Sequence, residues 1–224
     1  MFPTNSFLRH LDAAALEELL GQSHRKTYKK GEHIVRFNDT DNNVYVIESG
    51  RARVTLFSSE GKEVSFVDLD SGDNFGELSV IDNKPRSANV IALGSTAILI
   101  IPPQVFMDLV TSHPGVCREI LQQLTAVIRR LGDRIFEYST LDVSRRIKLE
   151  LLRLAREHTD YDGVARFPKP PQADLASRLT CNREAISREY AILEKAGVLS
   201  RKRGKLIVED IGALESMVAE HTPG

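Results

Sequence analysis

The sequence predicts an α+β chain in three parts: an N-terminal β-roll of jelly-roll type over residues 1–112, a long dimerisation helix over residues 113–140, and a C-terminal winged helix-turn-helix over residues 141–224. Three observations carry that reading. Short β-prone runs punctuated by turn residues fill the stretch from Lys26 to Ile101. An apolar four-three repeat runs from Cys117 to Tyr138, and two helical segments flank Thr180-Cys181-Asn182 just ahead of a basic hairpin.

Taken in chain order, a helix over Asp12 to Leu20 comes first. The runs Val44-Tyr45-Val46-Ile47, Arg51 to Phe57 and Val64 to Leu69 follow, separated by Ser49-Gly50, Glu60-Gly61 and Ser71-Gly72-Asp73. Ala52, Val54 and Leu56 alternate with Arg51, Arg53 and Thr55, the period of a strand with one buried face. Many short strands at this spacing imply a sandwich, roll or barrel.

From Pro114 to Tyr138 the period becomes helical. Cys117, Leu121, Leu124, Ile128, Leu131, Ile135 and Tyr138 are spaced 4, 3, 4, 3, 4, 3, the seam that a two-stranded coiled coil requires, so a homodimer is expected through them. A helix packed only on its own domain needs no more than a stripe of period ~3.6. Ile120 and Val127 form a second stripe, expected to face the chain's own β-domain.

The C-terminal part reads helix, loop, helix, turn, helix, hairpin, helix. Asp142 to His158 is periodic through Ile147, Leu151 and Leu154, and the loop holds Phe167-Pro168-Lys169-Pro170-Pro171. Gln172 to Leu179 and Arg183 to Ala196 can cross closely because small Ala176 sits with Leu175, Leu179, Ile186 and Leu193 on the inward side. Asn182 is a good N-cap for the second helix. The first-turn residues Arg183 and Glu184, with Ser187 and Arg188 a turn further on, are placed to enter a major groove. Arginine grips O6 and N7 of guanine and Glu accepts from the N4 amino group of cytosine, so the set reads as G·C-selective. Arg201, Lys202, Arg203 and Lys205 at the hairpin tip are expected to hold phosphates. The net charge of −1 hides this: residues 163–208 hold ten Lys/Arg against four acids, a local +6 that attracts a polyphosphate.

Inside the β-region, Phe75-Gly76-Glu77-Leu78 is followed by Pro85-Arg86-Ser87-Ala88. A cyclic phosphodiester needs a fixed cation and several donors, and a ribose hydroxyl needs an acceptor. Arg86 can fork onto the phosphate, Ser87 adds a hydroxyl and an N–H, and a helix opening at Gly76 aims free amides at the anion. Gly76 permits close backbone approach and Glu77 can accept from the ribose.

Other classes find less support. The N-terminus Met1-Phe2-Pro3-Thr4-Asn5-Ser6 has no signal-peptide pattern, and the apolar stretch Ala97 to Ile101 is too short to span a bilayer, so a cytoplasmic protein with no membrane association is expected. Cys117 and Cys181 supply neither a disulfide framework nor a four-cysteine metal site, and no metal is expected. No nucleophile–base pair or Walker loop is apparent, and Glu157-His158 with Asp160 reads as a polar helix-end loop, so the chain is not expected to be an enzyme. A regulator of the same architecture that senses haem through His33 or His113, senses redox state or another small molecule, or needs no ligand is the alternative.

The run Ala173 to Arg188, Ala-Asp-Leu-Ala-Ser-Arg-Leu-Thr-Cys-Asn-Arg-Glu-Ala-Ile-Ser-Arg, resembles the helix-turn-helix of the Crp/Fnr family, the cyclic-AMP receptor protein and fumarate-nitrate reduction regulators. Gly76-Glu77-Leu78 with Pro85-Arg86-Ser87-Ala88 resembles the phosphate-binding cassette of cyclic-nucleotide-binding domains. The resemblance spans nearly the whole chain, and it implies base contacts from Arg183, Glu184 and Arg188 and control by cyclic AMP or cyclic GMP. The adjacent threonine and serine that face the purine on the long helix of the cyclic-AMP receptor protein are missing. Leu131-Gly132 or Arg134-Ile135 stands there, according to the anchor chosen, so either purine remains open. The expected partners are a palindromic operator in duplex DNA, a cyclic nucleotide, a second copy of the chain and RNA polymerase.

Overall fold

The computed structural model describes residues 6–159 and 163–219. Asp160 and the opening Met1 to Asn5 lie outside the described residues. Two compact units divide between Arg129 and Arg130.

The first unit opens with a 3-10 turn, Phe7–His10, and helix α1, Ala13–Gln22, whose N-cap Asp12 accepts from the Ala15 amide at 2.9 Å. Strands β1 (His24–Tyr28), β2 (His33–Val35), β3 (Val44–Ser49), β4 (Ala52–Phe57), β5 (Glu63–Leu69) and β6 (Asn74–Phe75) follow, then helix α2 (Glu77–Asp82). Strands β7 (Asn89–Ala92) and β8 (Thr96–Ile101) lead to helices α3 (Pro103–Ser112) and α4 (Pro114–Thr140). The strands form two antiparallel four-stranded sheets, ordered β1-β8-β3-β6 and β2-β7-β4-β5.

Strands β3 and β8 are covered on both faces. Tyr45, Ile47, Ile98 and Ile100 join Tyr28, Ile34, Ala52 and Val90 in one core, while Val44, Val46, Leu99 and Ile101 pack with Phe7, Leu19, Phe106, Val116 and Ile120 in another. Burial on both faces explains why these strands are continuously apolar rather than alternating.

Strand β4 departs from the expected alternation. Arg53 is 6% exposed and Thr55 fully buried. Arg53 forks onto Asp68 of β5 through Nε at 2.7 Å and Nη2 at 3.1 Å, and the Thr55 hydroxyl donates to the Val64 carbonyl at 2.9 Å. Polar residues are tolerated on this face of an interior strand, opposite Ala52 and Val54, because they pair with the neighbouring β5.

Helix α4 buries Val116 and Ile120, with Leu124 packed beside them. Val127, expected to continue that stripe, is instead 43% exposed, so the stripe facing the chain's own core stops short of it. Along the four-three seam Leu121, Ile128, Leu131, Ile135 and Tyr138 are exposed and Cys117 is half-buried. The Tyr138 hydroxyl nevertheless has a partner within its own unit: it donates to the Arg178 carbonyl at 2.6 Å, and the Arg146 guanidinium lies 4.7 Å from its ring centroid.

The second unit takes in the end of α4 and then helix α5 (Val143–Glu157), capped by Asp142 through the Arg145 amide at 2.9 Å. Strand β9 (Ala165–Pro168), helices α6 (Gln172–Leu179) and α7 (Arg183–Lys195), strands β10 (Leu199–Lys202) and β11 (Lys205–Val208), and helix α8 (Ile211–Ala219) complete it. The sheet order is β10-β11-β9, so the expected hairpin gains a third strand where a proline-containing loop was expected. Pro168 is accommodated because β9 is an edge strand. Ile147, Leu151, Phe167, Leu175, Leu179, Ile186, Tyr190, Leu193 and Leu206 share one core.

Candidate functional site: an anion cradle and a basic reading head

The cradle begins where β6 ends. Phe75 stacks flat on Tyr45, ring centroids 5.0 Å apart at 6°, and Gly76 then takes φ 89° to turn the chain into α2. That left-handed backbone favours glycine. A Cβ at Gly76 would also stand 2.7 Å from Arg86 Nη1 and 2.8 Å from the Asn43 carbonyl, so close approach and backbone angle demand the same residue.

Arg86 arrives from the far side of the loop. Its backbone is pinned at both ends, its amide donating to the Asp39 carbonyl and its carbonyl accepting from the Asn38 amide, each at 2.9 Å. The side chain is 2% exposed and crosses the Tyr45 face at 5.4 Å. Nη1 donates to the Gly76 carbonyl at 2.9 Å; Nη2 donates to the Asn43 carbonyl at 2.7 Å and to Asp41 Oδ2 at 3.3 Å. The buried Nε–H has no protein acceptor. Arg86 and Glu77 thus do not form the internal ion pair that two nearby opposite charges invite; the carboxylate on the guanidinium is Asp41.

Glu77 stands in the first turn of α2, where burial pushes its carboxyl pKa up against the lowering influence of Arg86 and Asn74. Its Oε2 is also buried without a hydrogen-bond partner. A buried donor and a buried acceptor, both unpaired, therefore belong to the two residues singled out for phosphate and ribose. Leu78 and Ser87 are exposed and Ala88 is half-buried, so none of the three belongs to the buried part of the cradle.

Asp41, Asn43 and Tyr45 are members of this site that sequence reasoning missed. Asp41 accepts from the Asn43 amide at 3.2 Å, from Asn43 Nδ2 at 2.6 Å and from the Tyr45 hydroxyl. Burial pushes Asp41 up, but these donors and Arg86 outweigh it and hold the carboxyl below its ordinary value. Asp41-Asn42-Asn43 reads in sequence as ordinary turn chemistry, which hid its role.

In the second unit the helix-turn-helix is built as expected. Thr180 takes φ 51°, and Asn182 Oδ1 accepts from the Ala185 amide at 2.8 Å to start α7. Arg183, Glu184, Ser187 and Arg188 are exposed on its outer side, and Gln172 donates to the Ser187 hydroxyl at 3.1 Å. A Lys148–Glu189 ion pair at 2.8 Å ties the helix's inner side to α5. The hairpin turns through Arg203 at φ 49° and Gly204 at φ 78°, the two positive angles of a tight type I′ turn, and leaves Lys202, Arg203 and Lys205 exposed. Arg201 differs: its Nε and Nη2 both donate to Glu194 at 2.5 Å, so it is held by α7 instead of standing free at the tip.

No described helix is long and apolar enough to cross a membrane, and no group of three or more His, Cys, Asp or Glu among the described residues could hold a metal ion. His33 lies on β2 and His113 at the end of α3, each with a buried, unpartnered Nδ1.

Comparison with known proteins finds relatives of both units. A cyclic nucleotide-binding domain model matches residues 25–113, and a Crp-like helix-turn-helix domain model matches residues 145–217. The cAMP-activated global transcriptional regulator CRP of Salmonella typhimurium is 27% identical over 197 residues, 86% of this chain and 92% of the relative. The cyclic AMP receptor protein of Thermus thermophilus is 25% identical over 193 residues, 86% of this chain and 87% of the relative. Among solved structures, a CooA mutant from Carboxydothermus hydrogenoformans has a TM-score of 0.83 at 21% identity, covering 97% of this chain and 98% of that one. The c-di-GMP responsive global regulator CLP of Xanthomonas campestris has a TM-score of 0.76 at 21% identity, covering 89% and 100%.

Proposed function

The chain belongs to the Crp/Fnr family of transcription regulators, and from that premise we propose that it acts as a homodimer whose affinity for a palindromic operator is set by cyclic AMP or cyclic GMP. One observation carries the ligand reading: the buried, unpaired Arg86 Nε–H and Glu77 Oε2 beside Gly76. A buried donor or acceptor left without a partner costs about 1–3 kcal/mol, and a bound cyclic nucleotide repairs both at once. The phosphate supplies acceptors to Arg86, and the ribose 2′-hydroxyl donates to Glu77.

Dimerisation through the exposed Leu121, Ile128, Leu131 and Ile135 of α4 would present two copies of α7 to adjacent major grooves, about 34 Å apart. Arg183, Glu184, Ser187 and Arg188 would read base edges, with Lys202, Arg203 and Lys205 on phosphates. Ligand shifts this equilibrium only as far as it binds the DNA-competent dimer more tightly. The working setting is the cytoplasm, and RNA polymerase is the further partner of such a regulator.

Selection of random duplexes by the purified protein, alone and with each nucleotide, tests this reading. The expected result is enrichment of a two-fold symmetric site with G·C pairs under α7, strengthened by one or both nucleotides. Equal enrichment under all conditions would remove nucleotide control and favour a regulator of the same architecture that takes another ligand or none, with a visible absorption spectrum reporting haem.

A further inference from the structure

Asp41 shares the guanidinium with whatever anion the cradle holds. The free Nε–H and Nη2 lie on the same side-on edge of Arg86, and Nη2 is shared between the Asn43 carbonyl at 2.7 Å and Asp41 Oδ2 at 3.3 Å, which brings the carboxylate to that end. The carboxylate is not a loose surface charge swept onto the cation. Two donors from Asn43 and the Tyr45 hydroxyl fix it, and Tyr45 is itself clamped between Phe75 and Arg86. A phosphate reaching the Nε/Nη2 edge therefore meets a negative charge already in place.

We propose that Asp41 is a charge-selectivity residue of this site, admitting the singly charged cyclic phosphodiester and penalising doubly charged phosphomonoesters such as the linear nucleotide. The inference rests on the cyclic-nucleotide reading given above. Arg86 brings one positive charge and Asp41 cancels it, so Arg86, Asp41 and a monoanion together carry −1, and with a dianion −2, Glu77 being common to both cases. Repulsion from Asp41 acts twice as strongly on the dianion. Because the Asp41 side chain is 44% exposed, solvent screens it, and removing its charge tightens monoanion binding by only about threefold to tenfold. The same change acts on a dianion with twice the free energy, about tenfold to hundredfold.

The experiment titrates cyclic AMP, cyclic GMP and 5′-AMP into the full chain and its Asp41→Asn and Asp41→Ser variants by calorimetry, at about pH 8, where a phosphomonoester is almost fully dianionic. The expected result is tighter cyclic-nucleotide binding in both variants and a cyclic-over-linear preference that falls about threefold to tenfold. Unchanged or weaker cyclic-nucleotide binding in both variants, with the preference intact, overturns the inference and leaves the nucleotide reading standing. Failure of the wild-type chain to bind either cyclic nucleotide overturns both.

Discussion

Replacing Arg86 by leucine separates what the guanidinium does for the fold from what it does for the ligand. In the folded chain it supplies charged donors to the Gly76 and Asn43 carbonyls, and hydrogen bonds to charged groups contribute about 1.5–3 kcal/mol each. Leucine recovers about 1.5–3 kcal/mol by burying its own side chain, and solvent reaches part of the half-buried loop. The net loss for Arg86→Leu is then about 1.5–3 kcal/mol, or roughly 5–15 °C in the melting temperature of a unit this size. The variant folds but is measurably weaker, and Arg86→Lys, which keeps charge without the fork, falls between. Thermal unfolding with and without cyclic nucleotide reads both effects in one assay. At a hundredfold excess over Kd the ligand stabilises the wild type by ~2.7 kcal/mol, and Arg86→Leu shows no such shift. Ligand-induced stabilisation of Arg86→Leu equal to the wild type's would refute the cradle, and an unaltered melting temperature without ligand would refute the burial argument.

Asn182→Ala removes the cap from the Ala185 amide and lowers the stability of the second unit by about 1 kcal/mol, a drop of roughly 4–8 °C that leaves the first unit's transition in place in a two-step melt. Arg183→Ala is expected to weaken binding to the selected operator by about 1–3 kcal/mol while sparing random DNA, whereas Lys205→Gln weakens both alike and flattens the logarithmic salt dependence by about 0.9 for each phosphate it no longer neutralises. Glu77→Gln alters the pH profile of stability. Because burial raises the Glu77 pKa, the native chain keeps a proton that the unfolded chain releases, so its stability contribution is highest below the ordinary carboxyl value and is lost as pH climbs through the raised one. Urea midpoints across that window should fall less steeply in the variant; parallel profiles would refute a raised Glu77 pKa.

The parts legible in sequence are those set by near neighbours. Asn182 capping α7, the turn at Thr180 and the small Ala176 at the helix crossing all act within a few residues, and the structure has each in its expected place. Gly76 and Arg86 were legible as partners because the expectation asked for a close backbone beside a fork, and the structure brings the two into hydrogen-bond contact. Strand β9 was hidden because its prolines argue for a loop, and only pairing with β11, far along the chain, overrides them. The pattern Arg51-Ala52-Arg53-Val54-Thr55 misled because alternation encodes one buried face only when polar residues find no partner inside, and Arg53 finds Asp68.

The same gap governs the two arginines marked for anions. Sequence assigns Arg86 and Arg201 alike, but availability depends on the carboxylate opposite, which distant elements supply. Arg201 offers both ends of its side-on edge to Glu194, and at 40% exposure such a pair contributes about 0–1 kcal/mol, so a DNA phosphate can exchange with that glutamate at little cost. Arg86 is buried and keeps one end of that edge, Nε, unmatched while the Asn43 carbonyl and Asp41 hold the other. Exchange there is confined to a single position with a fixed negative neighbour. If the proposed roles hold, the hairpin would tolerate the high charge density of a nucleic-acid backbone, while the cradle would favour a small anion of low charge.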